Sequence, residues 1–171
     1  MVVLRRTQKL ATSLPLTAKS EARTDTALGD WYVSRVVVDR RPLLLLISAY
    51  ALLPIVLPAR DVAGLPDRLP DLVAARLRRL SIPPELIRAE IAAMNPVITA
   101  PTVDRSVLGI LVDFAKALPF YLERGSWDET TLPFVEAKLG ETPCYAGRPF
   151  AEVVFPNRDA PPLIAARWGA G

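Results

Sequence analysis

The sequence predicts a single small α+β domain, in which a mainly antiparallel sheet of three or four strands is covered by three to five helices. A length of 171 residues suits one domain with a sizeable core. Residues 28–58 hold the densest apolar run of the chain and read as a strand hairpin followed by a short apolar segment. Amphipathic helical patterns then dominate residues 69–139. We therefore assign residues 1–155 to the domain and residues 156–171 to a flexible C-terminal tail, because Pro and Gly are frequent there and no periodic pattern is visible.

Strand patterns occur near the N-terminus and in the apolar run. Residues 2–6 are predicted as a first strand. Residues 31–39 alternate and carry apolar side chains on both faces, which predicts that helices or loops cover both sides of the sheet. Residues 43–48 return beside them, joined by a turn that would carry Arg40 and Arg41 at its tip. A short β-like run at residues 97–100 makes the sheet either three- or four-stranded.

The uncharged run from residue 42 to residue 59 has two interpretations. Its length reaches that of a membrane span, but Pro54 and Pro58 interrupt it and polar residues lie inside. We therefore predict no membrane span, and expect a buried strand followed by a Pro-interrupted helical turn at residues 50–57. The apolar residues 49–57 are also a candidate surface for a protein partner or for self-association.

Helical patterns follow, each with an apolar stripe and recognisable ends. Pro119 should kink or divide the longest helix, and Gly109 would let another backbone approach closely. The predicted helices span residues 69–80, 85–94 and 107–124, with a shorter one ending at residue 139.

Two features of the composition exclude common chemistries. The chain has no His, which rules out imidazole-based triads and HExxH zinc sites. Cys144 is the only cysteine, which rules out an intrachain disulfide and a thiolate cluster, and it reads as an inert thiol. No phosphate-binding glycine loop is present. We therefore expect no metal, no cofactor and no catalytic residue, and the basic N-terminus lacks the apolar core of a secretory signal, which predicts a cytoplasmic protein.

Five short segments in this order resemble a bacterial family known as DUF6933, over roughly residues 3 to 150. The segments are TQKL (residues 7–10), LGDWY (28–32), LLPIVLPARD (52–61), RSVLGILVDF (105–114) and ETPC (141–144). The resemblance implies one α+β domain and transfers no activity, because the family is a domain of unknown function. This chain has apolar residues at 110–112 and at 49–51, where the family usually carries polar ones, so a polar site built from those positions is not expected here.

The most suggestive candidate site is the polar elbow that precedes the second strand. Asp30 would orient a ligand there, and Trp31 would provide a stacking platform for a planar group. The simpler alternative is that Gly29 and Asp30 form a tight turn and that Trp31 anchors the core. Lys9, in the TQKL segment, is a further candidate binding residue.

Arg105 and Asp113 form a second candidate site on the longest helix. Their spacing of eight residues is a little over two turns, so they would share a face. Arg105 would then bind an anion at the helix N-terminus, where the helix dipole helps. Alternatively, Asp104 or Ser106 caps the helix and Arg105 pairs with an acidic neighbour.

Three functional hypotheses follow from these observations. The first is a non-catalytic binding or interaction module, to which the modest net charge of +3 and the many Arg residues add weak nucleic-acid binding. The second is a carboxylate-based enzyme in which Asp30, Arg105 and Asp113 converge. The third is a structural protein that self-associates through residues 49–57. The Arg residues that would form a basic surface are those at positions 40, 41, 68, 76, 78 and 79.

Overall fold

A five-stranded mixed sheet with helices on both faces is the centre of the structure, a computed structural model that describes residues 1–145 and 153–169. The strands lie in the order β4-β3-β2-β1-β5. β1 is parallel to both β2 and β5, whereas β2, β3 and β4 are successively antiparallel. The strands are β1 (Val2–Arg6), β2 (Trp31–Val38), β3 (Arg41–Ser48), β4 (Pro54–Pro58) and β5 (Val97–Pro101).

The prediction of one α+β domain agrees with this architecture, but the prediction of a mainly antiparallel sheet of three or four strands is wrong. β1 lies between β2 and β5 and is parallel to both. Long connections allow this arrangement, because parallel neighbours cannot be joined by a tight hairpin. Local patterning identified β1 and β5, but it carried no information about which strands pair.

The strand that was not predicted, β4, comes from the segment that was predicted as a helical turn. Residues 54–58 form the edge strand β4, in which Pro54 and Pro58 are tolerated because an edge strand has one row of backbone groups without a strand partner. Residues 51–57 are buried in the chain's own core, which leaves Tyr50 as the exposed residue of the predicted 49–57 surface. No helix within residues 1–145 and 153–169 is both long and apolar enough to cross a membrane.

The hairpin of β2 and β3 is confirmed, with a tighter turn than predicted. Asp39 and Arg40 both have positive φ angles, 51° and 63°, so the turn consists of these two residues alone. Arg41 belongs to β3, and its guanidinium stacks on the ring of Trp127 at 3.8 Å and donates to the Trp127 carbonyl at 2.6 Å. The tip therefore does not carry two adjacent guanidinium groups.

Two hydrophobic cores lie on opposite faces of the sheet, as the alternation in β2 predicts. Trp31 and Val33 point into the first core, and Tyr32 and Val38 into the second. Helices α1, α2 and α5 cover the first core, while α3 and α4 cover the second. Their bounds are α1 (Leu65–Arg79), α2 (Pro84–Ala93), α3 (Arg105–Tyr121), α4 (Leu132–Leu139) and α5 (Pro156–Trp168).

Helix α5 corrects the prediction of a flexible tail over residues 156–171. Its Ala160 and Ile164 side chains are fully buried in the first core, and the indole of Trp168 donates to Glu90 at 2.8 Å. The helix forms in spite of internal prolines because packing against α2 stabilises it. Residues 170–171 lie outside the described part of the chain.

Helix α3 is capped as one of the alternatives for residues 104–106 predicts. The Asp104 carboxylate accepts hydrogen bonds from the backbone of Ser106 at 2.8 Å and of Val107 at 3.3 Å. The helix continues through Pro119 and ends at Tyr121. A side chain at Gly109 would have no atom within 4 Å outside its own helix, so the predicted close approach of another backbone there is wrong.

Candidate binding cavity at an open strand edge

Strand β2 has an open edge over residues 35–37, because its parallel neighbour ends early. The pairing of β1 with β2 covers Trp31 to Val33 and stops at Arg6. The amide of Thr7 donates to the Val33 carbonyl at 3.1 Å, after which the chain turns away into a short 3-10 helix, Gln8–Leu10. Backbone groups of alternate residues point to the same side of a strand, so Arg35 and Val37 present theirs toward the vacated position.

No hydrogen bond joins these Arg35 and Val37 groups to any other segment of residues 1–145 and 153–169. The other half of the strand is satisfied, since Ser34 and Val36 point toward β3, opposite Leu45 and Leu43. The middle strand of the sheet, β2, therefore has a short open edge with two free N–H and two free C=O groups.

A cavity of about 480 Å³ lies beside this edge, between β2 and helix α3. We call it the edge cavity. Its floor is apolar and comes mainly from one face of α3, and its rim is polar or cationic. The apolar lining is Val36, Leu108, Leu111, Val112 and Ala115; the remaining lining residues are Thr7, Gln8, Lys9, Ser34, Arg35 and Lys116.

The charged residues that line the edge cavity are all cations: Lys9, Arg35 and Lys116. Within the described part of the chain, none of the three makes an ion pair or a side-chain hydrogen bond. A concave site with one sign of charge and an apolar wall concentrates field lines and attracts ligands of the opposite sign. The cavity is therefore suited to an acidic ligand that also carries apolar groups.

Two contacts hold the walls of the edge cavity in place. The Thr7 and Ser34 hydroxyls are hydrogen-bonded at 2.9 Å, which fixes the turn after β1 against β2. The Tyr32 hydroxyl accepts a hydrogen bond from the Asp104 amide at 3.1 Å and so anchors the start of α3 to the sheet. The turn after β1 and the start of α3, which flank the cavity, are thus both tied to β2.

The predicted site residues do not come together in one place. Lys9 lines the edge cavity, whereas Asp30 lines a different, polar cavity of about 340 Å³. Arg105 and Asp113 are exposed on α3 and line neither of these two cavities. No hydrogen bond or ion pair joins Asp30, Arg105 and Asp113 within residues 1–145 and 153–169.

Asp30 forms an ion pair with Arg5, which is 3% exposed and was not singled out from the sequence. The other guanidinium nitrogens of Arg5 donate to the Pro101 carbonyl at 2.9 Å and to the Ala22 carbonyl at 2.8 Å. Burial raises the pKa of the Asp30 carboxyl, and the hydrogen bond and charge of Arg5 oppose that rise. The pair ties the loop before β2 to the sheet, which is a structural role.

Trp31 is fully buried in the first core, so its ring presents no face to solvent. Its indole N–H has no hydrogen-bond partner in the described residues. This placement matches the anchor alternative rather than a stacking platform. Gly29 has a φ of 79° and lies under the Tyr50 ring, where an added Cβ would come within 3.0 Å, so the tight turn requires glycine.

The remaining candidates for reactive chemistry are enclosed or dispersed. Burial, with a further contribution from the charge of Asp113, raises the pKa of the Cys144 thiol to about 11, which keeps it protonated near neutral pH. Residues 1–145 and 153–169 contain no cluster of three or more His, Cys, Asp or Glu side chains with the geometry of a metal site.

The model of one protein family matches residues 3–159, which is most of the chain. The chain belongs to the DUF6933 family, described as a domain of unknown function. Neither the curated proteins nor the solved structures contain a match. Membership therefore agrees with the resemblance seen in the sequence and brings no assigned activity.

Two of the DUF6933-like segments meet at the edge cavity. TQKL contributes Thr7, Gln8 and Lys9, and RSVLGILVDF contributes Leu108, Leu111 and Val112. Sequence reasoning missed Ser34 and Arg35, because each reads as an ordinary strand residue. The early end of β1 opposite a longer β2 would have been the signal, but it depends on strand register, which the sequence does not display.

Proposed function

We propose that this chain is a non-catalytic interaction module of the bacterial cytoplasm that binds an acidic segment of a partner protein in the edge cavity. The observation that carries the proposal is a cavity with an apolar floor and three cations that lack partners within the described residues. A volume of about 480 Å³ lies within the range of sites that bind small molecules or side chains.

Apolar groups and charges contribute differently to such a site. The α3 floor, formed by Leu108, Leu111, Val112 and Ala115, offers surface on which apolar side chains of a ligand are removed from water. Each well-buried aliphatic side chain contributes about 1.5–3 kcal/mol. The three cations contribute mainly to selection of an acidic ligand and to its rate of association.

A protein ligand is favoured over nucleic acid by the lining of the cavity and by the fate of the Arg residues. No aromatic ring on which a base would stack lines the edge cavity. Four of the six Arg residues of the predicted basic surface are engaged by other groups of the chain: Arg41 stacks on Trp127, and Arg76 is 2% exposed. In addition, Arg68 donates to the carbonyls of Arg60 and Asp61, and Arg79 is paired with Glu136.

The test uses a fluorescein-labelled peptide of about ten residues that alternates Asp or Glu with Val or Leu. We expect saturable binding, measured by fluorescence anisotropy. The double variant Lys9→Glu, Lys116→Glu should raise the dissociation constant by about tenfold or more. A peptide with Lys in place of the acidic residues should not bind.

The matched control is the double variant Lys19→Glu, Arg88→Glu. Both of its positions are exposed and lie outside the edge cavity, and the change in net charge is the same. It should alter the dissociation constant by less than about twofold. Equal losses in the two double variants would mean non-specific attraction and would overturn the proposal. Tight binding of oligo(dT), lost in the cavity variant alone, would favour nucleic acid instead.

A further inference from the structure

We infer that the partner segment binds by β-strand addition, pairing its backbone with the open edge of β2 at Arg35 and Val37. The inference rests on the proposed function, since it specifies how the edge cavity holds its ligand. An extended peptide that joins a sheet edge gains main-chain hydrogen bonds, and pockets for alternate side chains supply the specificity.

The position that such a strand would occupy is the continuation of β1. β1 pairs with Trp31 to Val33 and then leaves the sheet at Thr7, while β2 runs on to Val38. Because Arg35 and Val37 point their backbone groups into that position, an added strand has up to four hydrogen bonds available. The edge cavity shows that space is present beside residues 34–36.

Side chains of the added strand would alternate between two different environments. On the side of the sheet that faces α3, they would meet Leu108, Leu111 and Val112 on the floor of the edge cavity. Trp31 and Val33 point to the other face of the sheet, away from α3, and the alternation of β2 places the Arg35 side chain on that face as well. The ligand side chains on that face would therefore lie beside Arg35. The expected ligand therefore alternates apolar residues with acidic ones: acidic residues pair across the strand with Arg35, and those at the ends of the segment face Lys9 and Lys116 on the rim of the edge cavity.

The two outer edges of the sheet are closed to such pairing by the chain itself. On β4, Pro54 and Pro58 have no N–H, and the Val56 amide donates to the Glu136 carboxylate at 2.8 Å. On β5, the Thr99 carbonyl accepts from the amides of Thr17 and Ala18 at 2.9 Å, and its amide donates to the Thr17 hydroxyl at 2.8 Å. The open edge of β2 lacks any such cover in the described residues.

A second copy of this chain is a poor occupant of the open edge. Pairing two β2 edges would bring the cations of both copies, Lys9, Arg35 and Lys116, toward one another without a carboxylate in either cavity lining. Like charges that face each other across a pair of strands oppose pairing. An acidic segment of a different protein satisfies both the backbone groups and the charges.

Backbone N-methylation of the alternating peptide tests the inference without altering the protein. Methyl groups on one set of alternate amides would remove the donors that face β2, whereas methyl groups on the other set would face away. We expect the first peptide to lose affinity by about tenfold or more and the second to stay within about threefold of the unmodified peptide. Equal effects of the two sets, whether small or large, would overturn strand addition.

A variant pair tests the same contact from the side of the protein. Val37→Pro removes one free N–H of the open edge, and Val37→Thr keeps it with a similar strand-forming side chain. Binding should weaken in Val37→Pro and persist in Val37→Thr, while circular dichroism checks that both fold. If binding depends on Lys9 and Lys116 but ignores N-methylation and Val37→Pro, strand addition fails and the proposed function stands. If the charge variants also have no effect, the proposed function fails as well.

Discussion

The outer edge of β4 and the open edge of β2 both lack a neighbouring strand, yet the protein treats them in opposite ways. At β4, two prolines and a buried carboxylate leave no N–H free. At β2, Arg35 and Val37 keep their outward groups, and the charged residues that line the adjoining cavity are Lys9, Arg35 and Lys116. Exposed edges invite pairing, and charged side chains limit which strands can pair. Within the described residues, this fold therefore closes its sheet at the two sides and leaves a short opening, lined by cations, at its central strand.

The closed edge of β4 is held by a buried charge cluster. Glu136 is 3% exposed and accepts from Val56, and it is paired with both Arg79 and Arg76. Arg76 also donates to the Pro54 carbonyl at 2.9 Å and to the Asn157 side chain at 2.7 Å. Burial raises the pKa of Glu136 and lowers the pKa of Arg76 to about 10, and the charge of each residue opposes the effect of burial on the pKa of the other.

Hydrogen exchange should give the largest contrast between the two edges. The Val56 amide is buried and bonded to Glu136, whereas the Arg35 and Val37 amides have no partner in the described residues. We expect the Val56 amide to exchange at least about a thousandfold more slowly than the amides of Arg35 and Val37, because exchange at Val56 requires opening of the core. NMR measures the three rates. Slow exchange of Arg35 at every protein concentration would contradict the open edge.

Replacing Glu136 by Gln should lower the free energy of unfolding by about 3 kcal/mol, because Arg76 would keep a buried charge without an anionic partner. Urea denaturation measures the change. The matched control is Glu129→Gln, which removes an exposed pairing with Arg60 and should cost less than about 1 kcal/mol. Equal costs for the two variants would show that the buried cluster does not hold the β4 edge.

The smallest expected effect is at Gly109, on the helix beside the open edge. Gly109→Ala should raise the free energy of unfolding by about 0.5–1 kcal/mol, because glycine is a poor helix former and the new methyl group meets no neighbour. Peptide affinity should be unchanged, since Gly109 does not line the edge cavity. A drop in stability or in affinity would mean that something covers this face of α3.

Local patterns predicted much of the fold correctly. Period-two alternation identified β2 and its two covered faces, and period-3.6 stripes identified α1, α2 and α3. The capping role of Asp104 was also among the expected alternatives. These features depend on neighbours within a few residues, which is why the sequence displays them.

Long-range packing decided the rest. Whether residues 54–58 are helix or strand depends on the partner strand β3, and whether residues 156–168 form a helix depends on burial against α2. Of the predicted binding residues, Lys9 lines the edge cavity. Asp30 instead forms an ion pair with Arg5, and Trp31 is buried in the first core. Arg5 and Arg76 look like surface residues in the sequence, and only the fold shows them buried.

The sequence by itself determined the fold class, the exclusion of imidazole and thiolate-cluster chemistry, and the family to which the chain belongs. Only the tertiary structure decided that β1 stops beside a longer β2 and that α3 lies across the gap. The physical reason is that composition and periodicity are local properties, whereas a strand edge and a cavity arise from register between segments far apart in the chain.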